Sequence, residues 1–78
     1  MARPFDIQLT PADHKKLLHA YRAAKTQLQR LRAHVLLLLN AGLSVDEVQA
    51  VTFTEEAEVA KSVGLFREGG VATVLQED

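Results

Sequence analysis

The sequence predicts an all-α fold: a small bundle of about four helices that contains a helix-turn-helix, with short extended segments at both termini. Four stretches carry apolar residues at helical spacing, and each follows a motif that starts a helix. The chain has 78 residues, which limits it to a single domain over 1–78. It has no cysteine, which excludes disulfides and cysteine-ligated metal sites.

The first helix is predicted at 11–24, after an alternating apolar and polar segment at 5–9 that is typical of extended chain. Thr10 is placed to cap this helix, and Pro11 takes the first helical position, where its missing N–H costs nothing. One exposed face, called the basic stripe below, is predicted to carry Lys15, His19 and Arg22.

The second helix is predicted at 27–41. Thr26 and Gln29 have the spacing of a capping box, in which each side chain bonds the other residue's backbone. Leucines and a valine then cover almost every side, which is typical of the buried centre of a bundle. Gly42 follows as a left-handed cap.

The third helix is predicted at 45–51 and begins with a capping box of Ser44 and Glu47. Its two turns place Val48 and Val51 toward the core.

The fourth helix is predicted at 55–68, with Thr54 as N-cap. Gly69 and Gly70 stop it. The β-branched segment 71–75 is then expected to be extended, either paired with 5–9 or adding an edge to a partner.

The formal net charge of −1 conceals two halves of opposite sign. Residues 1–39 carry a balance of +5 and residues 40–78 a balance of −6. Such a division indicates separate partners or pairing with a second copy of the chain. No apolar run approaches the length of a membrane span and no signal peptide is evident, so a cytoplasmic protein without a membrane partner is expected.

Several motifs, in this order, resemble the N-terminal helix-turn-helix domain, homeodomain-like in class, of insertion-sequence transposases of the mariner-like superfamily. They are Leu9-Thr10-Pro11, the run Arg30 to Leu38, Ala41-Gly42-Leu43-Ser44 followed by Glu47-Val48, and Phe66-Arg67-Glu68-Gly69-Gly70-Val71. Two segments depart from that family. Its turn usually reads Leu-Gly-Val-Ser where this chain has Val51-Thr52-Phe53-Thr54. Its last helix usually carries several arginines and a tryptophan, whereas Thr54 to Ser62 here contains three glutamates.

The resemblance implies a module that binds duplex DNA, such as terminal repeats, with the last helix in the major groove. Its catalytic residues belong to another domain, so no enzymatic activity is expected of this chain. The candidate DNA contacts are Arg3, Lys15, Arg22, Lys25, Arg30, Arg32, Thr54, Lys61 and Ser62. For the basic ones, a merely solvated face is an equal alternative.

The alternative function is a helical protein-interaction or dimerisation module that has lost DNA binding, with a homodimer as one form. Its candidate contacts are Glu55, Glu56, Glu58, Val71 and Val74. The glutamates also have a simpler explanation, since acids at a helix N-terminus complement the helix dipole. We expect no catalytic residue, metal, cofactor or small-molecule substrate, because no motif for any of them is present.

Overall fold

The computed structural model describes residues 7–76 as four helices packed around one core. The helices are α1 (Pro11–Ala23), α2 (Gln27–Asn40), α3 (Val45–Thr52) and α4 (Glu56–Val74). No strand occurs among the described residues. The prediction of an all-α bundle of four helices is therefore confirmed.

The start of α1 follows the predicted chemistry. Thr10 accepts a hydrogen bond from the backbone of Asp13, and the Asp13 carboxylate accepts one from Thr10 N, so the capping box is complete. Before it, residues 7–10 have no regular secondary structure, and Leu9 N donates to Asn40 Oδ1 over 3.1 Å. The first two residues of the predicted segment 5–9 lie outside the described residues.

The central helix, α2, supplies much of the core. Its side chains Ala33, Val35, Leu36 and Leu39 are buried, and they pack with Leu17, Val48, Val59 and Val63 from the other helices. The helix ends at Asn40, one residue before the predicted end, and Gly42 follows in the predicted left-handed conformation with a φ of 100°.

The capping box predicted at the start of α2 is only half formed. Thr26 accepts a bond from Gln29 N, but the Gln29 amide turns away and donates to Leu75 O over 2.7 Å. A residue expected to act locally therefore ties α2 to the far end of the chain.

The C-terminal segment corrects the prediction that 71–75 is extended. Gly70 alone departs from helical geometry, with φ 76° and ψ −163°, and a further helical turn follows to Val74. Because that kink redirects the chain, Val71 and Val74 enter the core at 6% and 0% exposure. Helical residues cannot pair as a strand with 5–9, so the expected edge is absent from this part of the chain.

Among residues 7–76, none of the helices combines the length and apolar character needed to cross a membrane.

Candidate functional site

The turn between α3 and α4 carries the most unusual backbone in the described chain. Phe53 follows α3 with φ 56° and ψ 43°, and it is the one described non-glycine residue with a positive φ. For a side chain with a Cβ atom this left-handed conformation is unfavourable, and such strain concentrates at functional sites.

Hydrogen bonds hold that turn in place. Phe53 N donates to Gln49 O over 2.8 Å, and Gln49 Nε2 reaches Thr54 O over 3.4 Å. The Thr52 hydroxyl donates to Val48 O, and a 2.7 Å contact joins it to the Thr54 hydroxyl. Thr54 is thus engaged within the turn and does not cap α4. Glu55 is the N-cap instead, without a side-chain cap bond.

Two apolar side chains at this turn face solvent. Phe53 is 93% exposed and Val51 is 47% exposed. The expectation that Val51 points inward is therefore wrong, because the two-turn helix α3 buries only Val48. Single exposed apolar side chains are common, but two neighbouring ones, one of them aromatic, form a small apolar patch of the kind found at binding surfaces.

An open cleft of about 390 Å³ lies beside the turn, between the end of α3 and the facing sides of α1 and α2. Tyr21 and His34 form part of its wall, with ring centroids 4.9 Å apart and a tilt of 51°. We call this space, with its lining residues, the Phe53 cleft. It is lined by Tyr21, Gln27, Arg30, Leu31, His34, Val51, Thr52, Phe53 and Thr54.

The predicted groove-reading side of α4 is acidic. Glu55 and Glu56 are exposed, and Glu58 is half-buried, with an Oε2 atom that has no hydrogen-bond partner among the described residues. Lys61 is exposed, but Ser62 is fully buried and its hydroxyl donates to Glu58 O over 3.1 Å. Ser62 is therefore not available to contact DNA in this structure.

The predicted basic contacts also include both exposed and buried residues. Lys15, Arg22, Lys25 and Arg30 are exposed, whereas Arg32 is only 1% exposed and belongs to the interior. Burial removes Arg32 from the surface set, because a phosphate cannot reach it. Arg3 lies outside the described residues.

The basic stripe adjoins the C-terminal turn of α4. Lys15, Lys16 and His19 border an apolar groove of about 520 Å³ with Ala20, Val71, Ala72 and Leu75. Glu55 and Glu56 lie at the other end of α4, about 20 Å away at 1.5 Å rise per residue. The Lys15 and His19 end of the basic stripe is thus remote from the acidic start of α4. Val71 and Val74 are core residues, which excludes them as exposed contacts for a partner.

The described residues contain no cluster of three or more His, Asp or Glu side chains placed to hold a metal ion. The exposed groups suited to binding are the ammonium and guanidinium groups along α1 and α2 and the aromatic side chain beside the open cleft. The sequence did not single out Lys16, which borders the groove, or predict the exposure of Phe53. The signal for Phe53 was a bulky aromatic residue in a turn that lacks glycine.

No protein-family model, curated protein or solved structure matches this chain.

Proposed function

We propose that the chain is a DNA-binding helix-turn-helix module of a transposase-like protein that holds duplex DNA mainly through its phosphate backbone. The observation that carries this proposal is the exposed basic stripe of α1, Lys15, His19 and Arg22, with Lys25 just beyond the helix. The order of α2, α3 and α4 and the family resemblance add support. A cytoplasmic location belongs to the same proposal.

Binding through the phosphates explains why the acidic front of α4 does not prevent it. DNA affinity comes largely from lysines and arginines that displace counterions, and such contacts position a protein without reading sequence. Glu55 and Glu56 oppose phosphate, but at 1.5 Å rise per residue they begin α4 about 20 Å before Val71, the end of the helix that Lys15 and His19 border. That separation exceeds the Debye length of about 8 Å at physiological salt. We therefore expect weak sequence preference.

The test is fluorescence anisotropy of a labelled duplex, titrated with protein at several salt concentrations. The triple variant K15A/R22A/K25A should bind more weakly, and its plot of log affinity against log salt should be shallower by about 3, at about 0.9 for each phosphate that is no longer neutralised. K61A on α4 is the matched control and should retain the wild-type slope.

Two outcomes would remove the proposal: no binding by the wild type at low salt, or a triple variant that binds like the wild type. The double variant E55Q/E56Q distinguishes DNA bound at the basic stripe from DNA bound at α4. If α4 itself lay in the groove, this variant would bind markedly more tightly, because two charges that repel phosphate are gone. With the stripe on DNA, its affinity stays within about twofold of wild type.

A protein-interaction module is the second candidate, and the 93% exposure of Phe53 is the observation that favours it. A DNA-binding surface has little use for an apolar ring beside two carboxylates. The two functions use different surfaces, so one chain could perform both.

A further inference from the structure

We infer that the Phe53 cleft is a self-association site, in which a second copy of this chain inserts its own Phe53 and receives the first in return. The inference deepens the protein-interaction candidate and is independent of DNA binding.

The first step of the argument is that the turn is built to present Phe53. Its ring is 93% exposed although the backbone takes an unfavourable left-handed conformation. Hydrogen bonds from Phe53 N to Gln49 O and between the Thr52 and Thr54 hydroxyls fix that conformation. Because these bonds already fix the backbone beneath the ring, binding has to order only the side chain itself, which limits the entropy lost on association.

The second step is the cleft next to the ring. Its wall is mixed: Tyr21, Leu31 and the 47% exposed Val51 supply apolar surface, and polar residues supply the rest, namely Gln27, Arg30, His34, Thr52 and Thr54. An aromatic side chain that packs on apolar surface within a polar surround is typical of the centre of a protein–protein interface. One surface of this chain therefore contains both the inserting side chain and the space that could receive it.

Charge identifies the occupant as a second copy. Arg30 lines the cleft and is exposed, while Glu55 and Glu56 follow Phe53 by two and three residues and are also exposed. A partner that inserts the same turn brings two carboxylates toward Arg30. In a two-fold arrangement the contact occurs twice and the assembly closes as a dimer, because both copies use the same patch.

The experiment is sedimentation equilibrium of the protein alone, from low micromolar to millimolar concentration. We expect the wild type to pass from monomer to dimer mass. F53G removes the ring from both copies and should weaken association by about 100-fold or more, at the usual contribution of a buried phenyl group. Glycine accepts the left-handed backbone, so the variant should retain its helix content by circular dichroism. F53Y, which keeps the ring, should still associate.

A charge exchange tests the identity of the occupant. R30E alone and E55K/E56K alone should each be monomeric, because like charges then meet at both contacts. An equimolar mixture should regain the dimer mass, since each copy now supplies the charge that the other lacks. K16E, a charge reversal outside the cleft, is the matched control and should dimerise like the wild type.

A wild type that stays monomeric at millimolar concentration would overturn the inference, as would a dimer that tolerates both F53G and R30E. Neither result touches the DNA proposal, whose deciding variant K15A/R22A/K25A lies outside the Phe53 cleft and whose measurement contains DNA. Conversely, a K15A/R22A/K25A protein that keeps the dimer mass while the wild type fails to bind DNA would leave this inference standing alone.

Discussion

Arg30 and Arg32 are two residues apart on α2, yet they lie in opposite environments. Arg30 is exposed at the cleft, and Arg32 is 1% exposed among core residues. R32A should lower the free energy of unfolding by about 2–4 kcal/mol, because truncating a large buried side chain leaves a cavity. R30A, as the matched control, should stay within about 0.5 kcal/mol. Urea unfolding below the concentration of association measures both.

Equal effects of the two substitutions would contradict the burial of Arg32.

Arg30 and Arg32 also show what the periodicity of the sequence could and could not predict. It placed leucines and valine on the inner faces of α2, but a charged residue on such a face is ordinarily assigned to solvent. Ser62 was misassigned for a related reason, since a polar residue that bonds the carbonyl four residues earlier can be buried without loss.

Helix starts were the best-predicted elements, because the chemistry of a cap is local. The cap predicted at Thr10 and the capping box predicted at Ser44 both form. The predicted capping bonds of the Gln29 and Thr54 side chains do not form, because each side chain bonds a group that sequence spacing does not reveal. Gln29 bonds Leu75 O, and Thr54 bonds the Thr52 hydroxyl. The candidate sites differ in the same respect, local against long-range. The exposed stripe of α1 lies on one helix and could be predicted from residue spacing, whereas the Phe53 cleft forms only where three helices pack together.

Substitution of two of the three glycines in α4 should act in opposite directions. Gly64 lies within the helix, is exposed and has open space where a Cβ would sit. G64A should therefore raise the free energy of unfolding by about 0.5–1 kcal/mol, the usual helix preference for alanine. Gly70 has a φ of 76° and a ψ of −163°, so G70A should lower it by about 1–3 kcal/mol.

Thermal unfolding of G64A and G70A, followed by circular dichroism at 222 nm, gives the measurement, with each glycine serving as control for the other. A stabilised G70A would mean that the chain continues as an ordinary helix there, without the kink. The direction of the kink could not be predicted, because two adjacent glycines signal a stop without specifying the conformation of the residues after them.

At the scale of the whole molecule, the last helical turn completes the core. Val74 is fully buried, while its near neighbour Ala72 is exposed. V74A should lower the free energy of unfolding by about 1–3 kcal/mol, in line with the burial of a valine side chain. A72S, the matched control, should change it by less than about 0.5 kcal/mol. Chemical denaturation of both variants measures the two free energies of unfolding. A V74A protein as stable as A72S would place this turn outside the core.

The bond from Gln29 to Leu75 has a consequence for how the protein is made. Forty-six positions separate the two residues, and the valines beside Leu75 cover the apolar faces of helices synthesised much earlier. During translation the parts of those faces that Val71 and Val74 cover stay open until this last turn has left the ribosome. The pairing of α1 with α2 can form before that, but the face of α2 that packs against α4 stays exposed to solvent throughout that interval, and the core is complete only after residues 71–75 are made.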